Sequence, residues 1–488
     1  MNENLQKLDV KSIVGKFNYR DLMIFVVPIL IFSMYLYIYN PGILTTISFR
    51  QLHQIATGQF NNSVPFFYTF IEMIFLKIFG STLSIAFFQI LVFAAIWTLI
   101  CKYHRDDTEE SSNRFVLEFA VTLIICLIPI NAVYSISLWS EILFAYALLF
   151  LSFLIKVMID RNGQVSKKFI IIIALTIAVA SQLSLNGLPI AIVTLIIIAV
   201  YLLRKNNNKK LVLMLPAIAI VAILLISSLS FIYGVEGTQS SEFNPASSAI
   251  VFDITRNADW NGQVYYISGD GAHLENAKDK FFTSINQTPK ESYEDVTSPN
   301  VGHGNYNMVS SYVTAFKDNH ILDTLFNSPA LYMYLAIILL VSMFVMTRSK
   351  DLFLIYVPNL LNIIAVIMTS PVQENRFLYG NLLVFYLLVI IFISVMFASD
   401  RKALPITLNA QKARESTKRE PEVSPYEYQD FDINQNQYEE VAAELDNSQL
   451  NEINAFLDKQ PKEPEPEYDN ELLDEILKEI EMEKQDKD

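Results

Sequence analysis

Two carboxylates stand where a membrane protein could use them for chemistry. Glu141 opens an apolar run in Leu138-Trp139-Ser140-Glu141, and Glu72 lies inside the run Val64–Phe79. A carboxylate at the edge of a low-dielectric layer can take or give a proton or ligate a cation, and it is costly to keep there without a use. Each also has a plainer reading. An acid in the first turn of a helix is favoured by the helix dipole alone. Glu72 and Lys77 are five residues apart, the pattern of a solvated polar stripe on a surface helix. Arg376, in Glu374-Asn375-Arg376-Phe377, is the basic residue of a short loop and offers a planar fork suited to phosphate. The competing reading is an arginine whose stem lies along the membrane surface. Arg50 and His53, in Ser48-Phe49-Arg50-Gln51-Leu52-His53, carry the same two readings.

Other constellations are weaker. Asp270, His273, His303 and His320 have no metal-ligand spacing. The Gly-Asp-Gly and Gly-His-Gly triplets are turn signals without the strand and helix that a phosphate loop needs. Asn61 and Asn286 sit in glycosylation acceptor triplets. No cofactor follows from any of these motifs.

The elements that must position such residues are membrane spans. The chain is 52% hydrophobic and only 18% charged, with a mean hydropathy of +0.33, too little charge to cover one soluble globule. Its two cysteines, Cys101 and Cys126, lie in apolar runs, which excludes a disulfide-stapled ectodomain. Apolar runs long enough to cross hydrocarbon occur at Leu22–Tyr39, Thr82–Cys101, Phe115–Ile130, Leu138–Met158, Phe169–Leu185, Leu188–Leu203, Leu211–Tyr233, Pro329–Met346, Leu352–Thr369 and Phe377–Ala398, about ten spans. The expected fold is therefore an all-α polytopic membrane protein.

Basic clusters fix the expected direction. Lys7 to Arg20, Lys102/Arg105/Arg114, Arg161/Lys167/Lys168, Arg204 to Lys210, Arg348/Lys350 and Arg401/Lys402 all fall on one side if ten spans alternate. By the positive-inside bias that side is the cytoplasm, and both termini lie there in a multi-pass cell-membrane protein. Counting Val64–Phe79 as a span would break this pattern, so it is expected to be an interfacial helix within the first outer loop, residues 40–81.

Two regions lie outside the bilayer in this layout. Residues 234–328 form an extracytoplasmic domain, with an amphipathic helix expected at Pro245–Asn257 and strand or turn signals in Gly262-Gln263-Val264-Tyr265-Tyr266. Residues 399–488 read as a disordered cytoplasmic tail; from residue 401 onward it carries 24 acidic against 11 basic residues. Leu472, Leu473, Ile476, Leu477 and Ile480 give it a short terminal amphipathic helix, suited to a cytosolic protein partner. Its charge repels phosphate, so nucleic acid is not an expected partner.

The order of one span, a Pro41-Gly42-Ile43-Leu44 loop, an interfacial helix ending Lys77-Ile78-Phe79-Gly80 and a second span ending in basic residues resembles the GT-C superfamily of polytopic membrane glycosyltransferases, above all its prokaryotic multi-pass branches. Trp139-Ser140-Glu141 resembles that family's Trp-Lys-acid position, Leu185-Asn186-Gly187 stands where relatives show Arg-His-Asn-Gly, and Glu374-Asn375-Arg376-Phe377 resembles its Glu-x-Arg-Tyr element. The resemblance implies a polyprenyl-phosphate-linked sugar donor drawn from the membrane lipid on the outer face. It implies Glu141 and Glu72 as catalytic carboxylates, with Arg376, Arg50, His53 and Asn186 as substrate-binding residues, and it allows a divalent metal.

Two departures bear on activity. Ile47 stands where the family's first-loop acid belongs, and Val64-Pro65 replaces its His-Pro; no Asp or Glu occurs between Asp21 and Glu72. Either another acid has taken over, or the chain binds a lipid-linked glycan or scaffolds an envelope complex without catalysis. A transporter is disfavoured, because the spans contain no matching pair of Gly/Pro-broken helices.

Overall fold

The computed structural model describes residues 17–106, 111–206, 208–237, 306–369 and 375–403. The chain divides into two units, 1–409 and 410–488, and all described residues fall in the first. The helix expected at Pro245–Asn257, the strand signals after it, and the terminal helix around Leu472–Ile480 lie outside the described residues.

The described chain is helical, with two isolated β-bridges and no strand. Its helices are α1 Tyr19–Ile38, α2 Thr46–Thr57, α3 Phe66–Phe79, α4 Leu83–Asp106, α5 Ser111–Leu127, α6 Pro129–Ser135, α7 Ser140–Asp160, α8 Lys167–Leu183, α9 Gly187–Lys205, α10 Lys209–Ile232, α11 Tyr306–Asp318, α12 His320–Asn327, α13 Pro329–Thr347, α14 Val357–Thr369 and α15 Tyr379–Ala403. Short 3-10 turns, Lys350–Tyr356 and Asn375–Leu378, lead into α14 and α15. Eight of these segments are long and apolar enough to cross a membrane, which makes this a multi-pass membrane protein. Helix is the form such runs must take, because lipid offers no partner for a free backbone amide.

The remaining two runs differ from the sequence expectation in a physical way. Phe115–Ile130 is not one straight rod. Proline at 129 cannot donate to the α5 ladder, so the helix stops at Leu127 and α6 restarts at a 72° bend. Helix α8 has 17 residues, about 25 Å at 1.5 Å per residue, just short of the other spans. Helix α3 has 14 residues and is no candidate span, as its charged residues suggested.

Consecutive long helices run antiparallel, giving the bundle two ends. At one, the N-terminus of α1 meets the C-terminus of α4: Asp21 bonds Lys102 at 3.3 Å and Arg105. At the other, Pro41 meets the start of α4 through Thr82, whose hydroxyl donates to its carbonyl at 3.4 Å. Helix α7 is buried along nearly all of its length, packed against α4, α8, α14 and α15.

Close backbone approach at the Pro41 end requires glycine twice. Gly42 has φ +115°, and a Cβ there would lie 2.8 Å from Leu138 Cδ1 and 3.0 Å from the Ile136 carbonyl. Gly187, at the turn between α8 and α9, would place a Cβ 2.5 Å from the Ala180 carbonyl and 2.8 Å from that of Ser181. At Gly187 both obstacles are backbone and cannot move aside. Gly187→Ala is accordingly expected to lower stability by about 1–3 kcal/mol, seen as a lower thermal midpoint of the purified protein in detergent. An unchanged midpoint would mean that the hairpin opens freely.

Candidate functional site

The Pro41 end is organised around the turn Ser135–Trp139. Residues before α2 lie along it as a parallel bridge: Ile43 N donates to Ile136 O at 2.9 Å and Leu138 N to Ile43 O at 3.1 Å. The α2 N-terminus is closed by Thr45 and Ser48, whose hydroxyl accepts from Thr45 N at 3.1 Å and donates to Leu138 O at 2.9 Å. Trp139 Nε1 donates to Thr45 Oγ1 at 2.9 Å. From α4, Gln89 donates to the carbonyls of Ser135 at 3.2 Å and Ser137 at 2.9 Å, and accepts from the Tyr68 hydroxyl of α3 at 3.0 Å. Three helices and one loop thus converge on five residues.

Helix α3 is amphipathic in an inverted sense. Tyr68, Thr69 and Glu72 share its buried face, whereas Ile74, Lys77, Ile78 and Phe79 are exposed. Its start is fastened to α10 by Tyr233, whose ring meets those of Phe60, Phe66 and Phe70 with centroids 5.6–5.7 Å apart. The expected solvated stripe joining Glu72 to Lys77 is therefore wrong. Five residues is 500° of helix turn, which sends the two side chains to different faces. Glu72 is fully buried, with the Tyr68 hydroxyl as its hydrogen-bonding neighbour. Burial pushes its carboxyl well above the usual carboxylate range, and the Tyr68 hydroxyl one turn away offsets only part of that. Burial pushes the Tyr68 hydroxyl up in turn, helped by the charges of Glu72 and then Glu141.

That influence brings Glu141 into the same neighbourhood. It stands half-buried in the first turn of α7, accepting from Ser140 Oγ at 3.3 Å. Arg376 joins from the far side of the turn. Its guanidinium lies over the Trp139 ring at 4.9 Å and the Phe377 ring at 5.0 Å from their centroids, and only 4% of the residue is exposed. A buried guanidinium flanked by two rings is held in place by cation–π attraction. Tyr68 thus ties α3 through Gln89 to the Ser137 carbonyl and lies within electrostatic reach of both Glu72 and Glu141, while Arg376 stacks on Trp139 at the end of the same turn.

The other expected residues are placed less centrally. Arg50 and His53 are half-buried on α2, beside the face that turns inward. Asn186 sits on the α8–α9 turn and donates to Thr369 Oγ1 at 2.5 Å, tying that turn to the end of α14. Glu374 lies outside the described residues.

Three residues absent from the sequence expectation belong to the site. Gln51, Thr69 and Gln89 are buried, and the side chains of Gln51 and Thr69 have no hydrogen-bond partner. Their signal was available as spacing: Thr45, Ser48, Gln51 and Gln54 recur every three residues on α2, and all four are buried. Each buried polar group left unpartnered costs about 1–3 kcal/mol, so Gln51 and Thr69 each lower the stability of their short helices.

No known protein family, curated protein or solved structure matches this chain. Its site must be judged on its chemistry. Among the described residues no three His, Cys, Asp or Glu side chains cluster as a metal site, so the pair Glu72 and Glu141 falls short of a ligand set, and no step is assigned to a metal. The pair instead offers two carboxyls in contrasting settings, one sealed and one reachable, on either side of a tyrosine.

Proposed function

We propose that this protein is a GT-C-like membrane glycosyltransferase acting on a polyprenyl-phosphate-linked sugar at the outer membrane face. The observation that carries the proposal is the convergence on the turn Ser135–Trp139 of Tyr68 through Gln89, of Glu141 at the start of α7 and of Arg376 stacked on Trp139, at the bundle end opposite the basic clusters. With α5 and α6 taken as one bent span and α8 added to the eight, ten crossings put Arg105, Arg114, Arg161, Lys167, Arg204 and Lys350 in the cytoplasm, together with both termini. Residues 234–328 and the Trp139 site then share the outer compartment.

In the reaction, Glu141 takes the proton of an acceptor hydroxyl as that oxygen bonds to the anomeric carbon. The bond from that carbon to the phosphate oxygen breaks, and polyprenyl phosphate leaves with its electron pair. Arg376 favours the phosphate end by its charge. The apolar outer face of α3 suits a donor that arrives from lipid.

A second reading, binding without transfer, draws on Ile47 in place of the first-loop acid and on the burial of Arg376 under Trp139. In that case the acidic tail recruits a cytosolic partner to a glycan-binding membrane scaffold. Turnover separates the two. Full-length protein in lipid nanodiscs, offered polyprenyl-phospho-hexoses and a hydroxylated acceptor, is expected to release polyprenyl phosphate, and Glu141→Gln is expected to slow release by about a hundredfold or more. Equal rates for wild type and variant would remove Glu141 from catalysis. Donor binding with no release would establish the second reading.

A further inference from the structure

No Asp or Glu stands between Arg161 and Val235, yet the helices of that stretch begin or end on lysine and arginine. Helix α7 delivers the chain to the Asp21 end of the bundle, where Tyr103 of α4 donates to Asp160 at 3.0 Å. Helices α8 and α10 both start from that end and pack against each other. Their first turns are built alike. Ser166 accepts from Phe169 N at 3.3 Å and Asn208 from Leu211 N at 3.2 Å, and each cap is followed by two exposed lysines, Lys167-Lys168 and Lys209-Lys210. The loops leading into them are tied together: Gln164 Nε2 donates to Lys205 O and Asn206 Nδ2 to Gly163 O, both at 2.8 Å. A Cβ on Gly163 would lie 2.7 Å from Lys205 Cβ, so the two loops touch.

Placed there, the lysines work against their own helices. The first turn carries the positive end of the helix dipole, which favours acids and disfavours cations. The fold brings two such ends together with four lysines and the exposed Arg204. Among the described residues of the adjoining loops the acids are Asp160, which meets Lys156, and Asp351, which meets Lys205 at 3.2 Å. A bias of basic residues toward one side of the membrane accounts for the number of these cations but not for their seats, since lysines in the loops or at helix C-termini would satisfy it equally. A local rule broken twice, side by side, marks a functional place. The arrangement calls for an anion, and the residues one turn further on decide its kind. Lys167 is followed at four-residue spacing by Ile171 and Leu175, and Lys209 by Leu213; all three are exposed, and the spacing puts them on the face of their lysine. Val200, also exposed, stands one turn before Arg204. Each cation is thus continued by an apolar strip down its helix. A phosphate free in water matches only the charged half of this surface, whereas a phospholipid matches both.

We infer that the paired starts of α8 and α10 form a surface that retains an anionic phospholipid, its phosphate on Lys167, Lys168, Lys209 and Lys210 and its acyl chains along the apolar strips below them. The inference is independent of the transfer reading: it concerns the opposite end of the bundle and involves no catalysis. The lipid offsets the positive charge that the fold concentrates at the two tied loops, and four flexible ammonium groups suit a headgroup that they meet as point charges.

Native mass spectrometry of the full-length protein tests it, with phosphatidylglycerol and phosphatidylcholine of equal chain length added to the micelles as probes. One lysine at an anionic lipid surface contributes about fivefold in affinity, so wild type is expected to prefer phosphatidylglycerol by about tenfold or more. Lys167→Gln with Lys209→Gln is expected to bring the two lipids within about twofold. Arg348→Gln with Lys350→Gln, which removes the same charge from the loop between α13 and α14 at that end, is expected to keep the preference. Equal loss in both pairs would reveal a diffuse positive field and overturn the inference, as would equal binding of the two lipids by wild type. Displacement of phosphatidylglycerol by an excess of glycerol phosphate would show that the phosphate alone is recognised, and would overturn the lipid as occupant. If the lysine pair fails to fold, hydrogen–deuterium exchange of wild type in nanodiscs of either lipid replaces it. Exchange is expected to slow with phosphatidylglycerol in the loops before α8 and α10 and to stay unchanged between α13 and α14. Equal rates in the two lipids, or equal slowing in every loop, would overturn the inference.

Discussion

Asp21→Ala is expected to cost about 3–5 kcal/mol of stability, the largest loss from any single side chain at its end of the bundle. Asp21 is fully buried and does three things at once. Its carboxylate accepts from Asn18 N at 2.9 Å while its own amide donates to Asn18 Oδ1 at 3.0 Å, closing the first turn of α1. It also lies between Lys102 and Arg105 of α4. Arg105 reaches on to Glu118 of α5 at 3.2 Å, and Glu118 to Arg114 at 3.5 Å, whose guanidinium meets Ser394 of α15. Removing Asp21 leaves three buried cations, Lys102, Arg105 and Arg114, where Glu118 is the one carboxylate left in the network, and such charges have no water to turn to. Unfolding in sodium dodecyl sulfate, followed by far-ultraviolet circular dichroism, measures the loss. Asp21→Asn, which keeps the helix cap but not the charge, should fall between wild type and Asp21→Ala. A variant as stable as wild type would mean that the network is solvated and carries no load.

This network also shows where the sequence is legible and where it is not. Apolar runs announce membrane helices because few other residue patterns can exist in lipid, and eight of the ten expected runs correspond to candidate spans. The bend at Pro129 was foreseeable in principle from the missing amide, but a run read by hydropathy alone passes over it. Charge is harder. Lys102, Arg105 and Arg114 read as a basic loop cluster; Glu118, four residues after Arg114 on α5, is a local partner, but nothing local reveals that Asp21 of α1 is folded into the cluster as well. Glu72 was misread for a related reason. Hydropathy averages α3 into an apolar segment, and only the phase of Tyr68, Thr69 and Glu72 against Lys77 shows that the polar face is turned inward. Glu141 and Arg376 were recognisable singly, as charges at the edges of spans; that they meet at Trp139 depends on long-range packing that no spacing encodes.

Trp139→Ala is expected to be the most damaging change at the other end, costing about 3–5 kcal/mol and altering ligand binding together with stability. Trp139 is almost fully buried, its ring meets that of Tyr134 at 5.8 Å, its indole N–H holds Thr45, and its face carries Arg376. Cutting it to alanine therefore opens a cavity, frees the α2 N-terminus and leaves a buried guanidinium with one ring where it had two. Trp139→Phe separates these effects, because it keeps a ring for Arg376 and loses only the hydrogen bond to Thr45, worth about 1 kcal/mol. A double-mutant cycle of Trp139→Ala with Arg376→Lys, read on carrier affinity, is expected to show coupling of about 1 kcal/mol or more, since a lysine cannot present the planar face that stacks on an indole. Additive effects would separate the cation from the aromatic wall. Arg376 would then be a structural prop of the 3-10 turn, and Glu141 would be left as the sole charged group at the reacting end of the site.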